Sequence, residues 1–283
     1  MKLRIALFLL FISAMGTKLV AQDDLDKFQN LADDFYKSAN YSSAIDVYER
    51  LLFFGNDSRS RKIYLPLARA YTATGQYERA SINYNNAYNN QSVDTLRYEI
   101  LFESALNYLL ANDTALAYSE LLNVPETKIS SRISNKLHLL IGTLDYKTER
   151  YKRAKTHFLA ISTLDSADKK YINTFFKKTK RVNQKYNPVM VEWMSLVPGL
   201  GQAWCGYYEE SANAFILTSA FVALYLDVTM KYRVLDGLLT VYPWFNRYYK
   251  GGVVKSYKLA IKKRETERNK LFNALMKSLP PIN

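Results

Sequence analysis

Residues 30–52, NLADDFYKSANYSSAIDVYERLL, and residues 66–88, PLARAYTATGQYERASINYNNAY, decide the fold. Shifted by 36 positions they superimpose small on small, Ala32 on Ala68 and Ala44 on Ala80, and aromatic on aromatic, Phe35 on Tyr71, Tyr41 on Tyr77 and Tyr48 on Tyr84. Two further copies follow at steps of 37, with Ala105 and Gly142 in the first small column and Ala117 and Ala154 in the second. Leu121 and Phe158 continue the column four residues after the second alanine, and Thr114 and Tyr151 the one three residues before it. Tyr108 continues the column that starts at Phe35, whereas Asp145 breaks it. Spacings of three and four residues gather side chains on one helical face. Each copy therefore predicts two amphipathic helices of about 12 to 14 residues. The turns fall at Ala39-Asn40, Gly75-Gln76, Asn112-Asp113 and Glu149-Arg150. Small residues let the two helices approach, and a single hairpin, unable to bury its apolar face alone, must stack on the next. The expected fold class is all-α.

The two opening segments resemble the tetratricopeptide repeat (TPR) family, with its pattern of apolar, small, two spacers, aromatic, then alanine, three spacers, aromatic. The third copy follows only through its columns, with Ser104 where a large apolar residue is expected, and the period of 36 to 37 exceeds the family's usual 34. The extra residues are expected in loops between hairpins. The resemblance implies a TPR-like solenoid of about four repeats over residues 22–186, closed by a polar capping helix from Asp168 to Gln184. It also implies a concave face, lined by first helices, that holds a protein or peptide. Asp33, Tyr36, Lys37, Leu65, Arg69, Thr72, Phe102, Leu109, Leu139, Tyr146 and Lys147 fall on that face. Phe102 with Leu106, Leu109 and Leu110 is the most apolar stretch, read either as an anchor pocket or as surface buried by the neighbouring repeat.

Composition sets the outer bounds. With 283 residues, 48% hydrophobic and 14% aromatic, the chain can pack a core and is not a disordered or low-complexity polymer. One cysteine excludes an intramolecular disulfide, and two histidines disfavour a histidine-rich metal centre. Residues 1–21, with Lys2 and Arg4 before the apolar run Ile5–Ile12, have the layout of a secretory signal peptide. From Glu149 to Lys185 eleven Lys or Arg face three acids, which suits anionic lipid or acidic proteins rather than nucleic acid in an exported chain.

Composition changes at Asn187, where a second domain, residues 187–283, is drawn. All three tryptophans, six of ten glycines and five of seven prolines lie beyond it. Ala212–Met230 holds one charge, Asp227, and is close to the length of a bilayer crossing. SLVPGLGQAWCGYYEESANAF (195–215) with the later RYYKGG (247–252) resembles bacterial membrane domains bearing a PGxGQxYxG signature, with Trp204 in place of the usual tyrosine. No activity comes with that resemblance. A basic tail after Lys250 is placed in the cytoplasm by the positive-inside rule, which with exported repeats requires an odd number of crossings. No phosphate loop, HExxH, GxSxG or paired-cysteine motif is present, so no enzyme, cofactor or metal is expected. The resulting expectation is a membrane-anchored periplasmic adaptor at the inner membrane. Its alternative is a peripheral envelope-assembly component whose apolar C-terminal region is buried against a partner.

Overall fold

A computed structural model describes residues 25–54, 57–125 and 129–280; the signal-like segment lies outside the described residues. These residues are mostly helical, 83% in helices, with no strand among them. Eight helices form a first compact unit ending at Thr163: α1 (25–37), α2 (Tyr41–Phe54), α3 (Asp57–Ala73), α4 (Tyr77–Asn89), α5 (Asp94–Leu110), α6 (Thr114–Leu122), α7 (Ser131–Lys147) and α8 (Tyr151–Ala160). They pair as four hairpins. From α2 onward each helix packs against the next, and α5 also packs against α7.

All eight small-column residues are buried: Ala32, Ala68, Ala105 and Gly142 on the first helices, Ala44, Ala80, Ala117 and Ala154 on the second. So are Tyr48, Tyr84, Leu121 and Phe158. Gly142 shows why the column stays small, because a Cβ there would meet the Phe158 ring at 3.3 Å. Tyr41, Tyr77, Thr114 and Tyr151 are the first residues of α2, α4, α6 and α8. The first helices α3, α5 and α7, at 17 residues, are longer than expected, while the second helices run from 9 to 14. The long period is therefore taken up in the first helices as well as in the loops.

Each hairpin turns by one device. Ala39, Gly75, Asn112 and Glu149 all have positive φ, between 58° and 75°. The amide after each donates to a carbonyl five residues back, as from Asn40 to Phe35 (2.9 Å) and from Arg150 to Asp145 (2.7 Å). The positive-φ residue itself bonds three back, as Gly75 to Thr72 (3.1 Å), which closes a Schellman motif at all four turns. A Cβ on Gly75 would meet nothing within 4 Å. Gly75→Ala should therefore cost about 1 kcal/mol through left-handed strain alone. Ala39→Gly should shift stability in the opposite direction, and thermal unfolding of the two variants checks the pair of signs.

Asp145, alone in a column of aromatics, is fully buried. Its carboxylate lies 3.4 Å from Arg153, 3.9 Å from Arg150 and 3.9 Å from His157, so the fourth hairpin replaces a ring with an ion cluster. His138 and His157 meet at 3.2 Å across that hairpin. Elsewhere buried rings keep a polar tip satisfied: Tyr48 donates to Asp33 at 2.5 Å, and Tyr71 donates to Glu49 of the preceding hairpin. Burial pushes the hydroxyls of Tyr71 and Tyr84 up to about 12 and that of Tyr48 higher, with Asp33 adding to the effect. Their contribution to stability is complete below the ordinary tyrosine pKa of about 10 and is lost as pH rises through the folded values. The first unit should thus hold a constant midpoint from about pH 7 to 9 and lose stability above about pH 10. Tyr71→Phe should flatten that alkaline slope.

The second unit runs from Leu164. It contains α9 (Ser166–Lys185), α10 (Pro188–Met194), α11 (Leu200–Trp204), α12 (Tyr208–Lys231), α13 (Val234–Thr240) and α14 (Tyr242–Ser278). Contacts place α9, expected as the cap of the repeats, with this unit, because it packs against α14. Its buried face is Ile172, Phe175, Phe176 and Thr179, and Tyr171 is exposed. Asp165 and Asp168 close a capping box at its start, and Asn187 caps α10 with Pro188 in the first position.

Helices α12 and α14 run antiparallel. Ala214 lies beside Gly252, Phe221 stacks on Tyr248 with centroids 5.2 Å apart, and Tyr225 lines a cavity with Phe245. Beyond Gly252, α14 continues past the start of α12 to pack on α9, α10 and α11.

Candidate functional site

Two regions gather polar groups. The first follows the first helices of the hairpins. Arg69 on α3 makes a bidentate pair with Glu103 on α5, both contacts at 2.6 Å, and Glu99 on α5 receives Lys136 and, at 3.5 Å, Arg132 of α7. Tyr36 of α1 lies in the field of the same pair; its hydroxyl is raised by burial, with Arg69 opposing and Glu103 reinforcing. Buried Asn107 donates to the Tyr77 carbonyl at 3.0 Å and contacts the Thr72 hydroxyl at 3.0 Å, tying the second hairpin to the third. Hydrogen bonds thus bridge successive hairpins in a polar ladder.

The face residues expected from the sequence divide accordingly. Tyr36, Arg69 and Thr72 come together in the ladder. Asp33 accepts from Tyr48, Lys37 pairs with Asp34 at 3.7 Å, and Lys147 is exposed. Leu65, Leu109 and Leu139 are half-buried. Phe102 and Tyr146 require correction as binding residues. Phe102 is 0% exposed, packed with Leu101 and Ala105 and covered by the Lys136 ammonium 5.3 Å from its ring. Tyr146 is buried and set edge-on to Tyr151. Their rings fill the gaps between helices, so neither offers a face to a partner. Glu99, Glu103, Asn107 and Lys136 are the members that sequence reading missed. Their signal was charge complementarity between neighbouring copies: Arg69, one residue after its column alanine, faces Glu103, two residues before the next.

Ser104, the departure in the third copy, has its own consequence. It borders a cleft of about 330 Å³ between α4, α5 and α6 that also includes Asn85, Asn123 and Glu120. Burial raises the Glu120 carboxyl above its ordinary range, opposed by the hydrogen bond with Ser104.

The second region lies where the two halves of the C-terminal signature meet. Gly199 adopts φ +85° before α11, and a Cβ on it would sit 2.5 Å from the Ser211 carbonyl oxygen. Gly201 lies against α10, where a Cβ would come 1.9 Å from the Ser195 hydroxyl and 2.7 Å from the Val191 carbonyl. That close approach brings the Ser195 and Ser256 hydroxyls to 2.6 Å and lets the Gln202 amide donate to the Gly252 carbonyl at 2.9 Å. Trp204 donates its indole N–H to the Lys185 carbonyl at 2.8 Å, satisfying an orphan acceptor at the end of α9. The PGLGQ and RYYKGG segments thus form one junction, with a cavity of about 320 Å³ beside it. Buried Cys205 has its thiol pushed up by desolvation, with Lys263 opposing.

Beyond the junction α12 is a 24-residue apolar helix, and only 6% of its most apolar 18 residues are buried. At about 1.5 Å per residue it is some 36 Å long, enough to cross the roughly 30 Å hydrocarbon core of a bilayer. No protein-family model matches the chain, and no curated protein matches its sequence.

Proposed function

We propose that the protein is a membrane-anchored scaffold: a TPR-like array of hairpins binds a protein or peptide along its first helices, and the α12–α14 hairpin holds the array at a bilayer. The observation that carries this reading is α12 itself, long and apolar but almost uncovered by its own chain. Phe215, Ile216, Leu224, Leu226 and Met230 are all exposed on it, a surface that water does not favour. The array acts by recruitment and not by turnover. Its ladder of paired charges offers a partner exchangeable ion pairs at fixed spacing, which give register and specificity more than affinity.

The packing of α14 supports a second arrangement beside the cytoplasmic tail and odd number of crossings expected from charge. A tail across the membrane from the repeats requires α14 to part from α9, yet α14 packs on α9, α10 and α11. Only residues 161–165 join α8 to α9, and five residues reach at most about 18 Å, too short to cross a bilayer. In that arrangement the tail of α14 stays on the side of α9, and the end of α12 near Tyr232 lies deepest.

One observation favours the second reading, a peripheral envelope component. The near side of the hairpin carries the basic α9 and the basic half of α14, the charge that the positive-inside rule keeps in the cytoplasm. High-pH carbonate extraction of the full-length protein separates the two readings. Retention with the lipid supports the anchored scaffold, and release supports the peripheral component. For the binding face, Glu103→Lys in the full-length chain tests the ladder. The ion pair it breaks is partly exposed and contributes about 1 kcal/mol or less, so the fold should survive while crosslinked partner recovery falls. Undiminished recovery would remove the first-helix face as the binding surface.

A further inference from the structure

We propose that the junction cavity binds the headgroup of an aminophospholipid, its phosphate toward Arg247 and Lys255 and its ammonium toward Glu210 and the Gln202 side-chain oxygen. This rests on the membrane reading above and specifies the lipid that the anchor selects.

Gln202 supplies the first reason. The residue is 1% exposed, and its amide nitrogen is committed to the Gly252 carbonyl. Its side-chain oxygen is buried without any hydrogen-bond partner, yet Gln202 lines the cavity. A buried acceptor left unpaired carries a desolvation penalty that a donor from a ligand would relieve. Charge supplies the second. Arg247 and Lys255 stand two helical turns apart on α14, and Glu210 stands opposite them in the first turn of α12, all three lining the same cavity. Among the described residues none of the three is in an ion pair. Between the two cations the α14 chain is Gly251-Gly252, and a Cβ on Gly251 would meet nothing within 4 Å, so the space beside the helix is open.

A site presenting two unpaired cations, one unpaired carboxylate and one orphan acceptor is matched by a zwitterion whose positive end donates hydrogen bonds. A primary ammonium does so. A trimethylated ammonium has no N–H to give Gln202, and a headgroup of phosphate and hydroxyls leaves Glu210 without a counter-charge.

Polarity along the seam supplies the third reason. Further from the start of α12, past the stacked Phe221 and Tyr248, lies a second cavity of about 190 Å³. It is lined by Phe221, Val222, Tyr225, Val241, Tyr242 and Phe245 and presents almost no polar surface. Polar groups at the near end and an apolar cleft deeper along the same pair of helices follow the order of headgroup and acyl chain in a leaflet.

The test is native mass spectrometry of the detergent-solubilised full-length protein titrated with phosphatidylethanolamine, phosphatidylglycerol and phosphatidylcholine of matched chains, and with soluble phosphoethanolamine. Phosphatidylethanolamine is expected to bind at least about tenfold more tightly than either other lipid. Arg247→Gln with Lys255→Gln should weaken all three lipids, since each carries the phosphate that these cations receive. Glu210→Gln should lower phosphatidylethanolamine to the level of phosphatidylcholine while leaving phosphatidylglycerol unchanged. Equal binding of the three lipids, a preference untouched by Glu210→Gln, binding untouched by the double cation substitution, or phosphoethanolamine binding as well as the whole lipid would each overturn the proposal. Carbonate extraction of the same wild-type protein keeps two failures apart. An extracted protein sinks the membrane reading, whereas a retained protein without lipid preference sinks the headgroup site alone.

Discussion

Replacing Phe102 with alanine is expected to cost the first unit about 3–5 kcal/mol, the usual range for deleting a fully buried aromatic ring. A domain of this size has some 5–15 kcal/mol in hand, and each kcal/mol moves the midpoint by roughly 2–4 °C, so the melting temperature should fall by about 10 °C or more. The loss has two parts, the contacts with Leu101, Ala105 and the rest of the third and fourth hairpins' core, and the cation–π contact with Lys136. Differential scanning calorimetry measures it. An unchanged midpoint combined with lost partner binding would return Phe102 to the role of a ligand anchor and contradict its burial.

The second large effect belongs to the glycines of the C-terminal junction. Gly201→Ala must push the Val191 carbonyl, part of the α10 backbone, away from α11, and Gly199→Ala meets both left-handed strain and the Ser211 carbonyl. Each is expected to cost more than about 2 kcal/mol. Gly206 also has positive φ, but a Cβ there would meet nothing within 4 Å, so Gly206→Ala should cost only about 1 kcal/mol. The ranking can be read from thermal unfolding of the detergent-solubilised protein. If Gly206→Ala were the most damaging of the three, the close approach of α10, α11 and α14 would be refuted.

What could be read from the sequence followed from local rules. Small residues in phase announced close helix contacts, and all eight are buried. The sequence placed the four turns but not their left-handed backbone, which Gly75 and Asn112 suit and Ala39 and Glu149 adopt where the Schellman bonds hold them. What escaped depended on contacts between distant residues. Phe102 and Leu109 share a helix and an apolar character, and periodicity alone does not say which of them the next hairpin covers. A count of lysines and arginines along α14 likewise does not register its packing on α9 and α10, which joins residues far apart in the chain. Gln202 and Gly252 are 50 positions apart, and nothing short of the folded junction joins the two motifs that contain them.

Single-cysteine labelling with a membrane-impermeant maleimide reads out whether α12 crosses a bilayer and on which side each flank lies. Cys205 is the only native cysteine and is buried, so Cys205→Ser gives a silent background. Cysteines introduced at exposed Lys37 in the repeats, at Ser278 near the end of α14 and at Leu235 in α13 then report three places in the intact cell membrane. With the tail of α14 on the side of α9, positions 37 and 278 are expected to react from one side and position 235 only from the other. Positions 37 and 278 reacting from opposite sides, or all three from the same side, would contradict that arrangement.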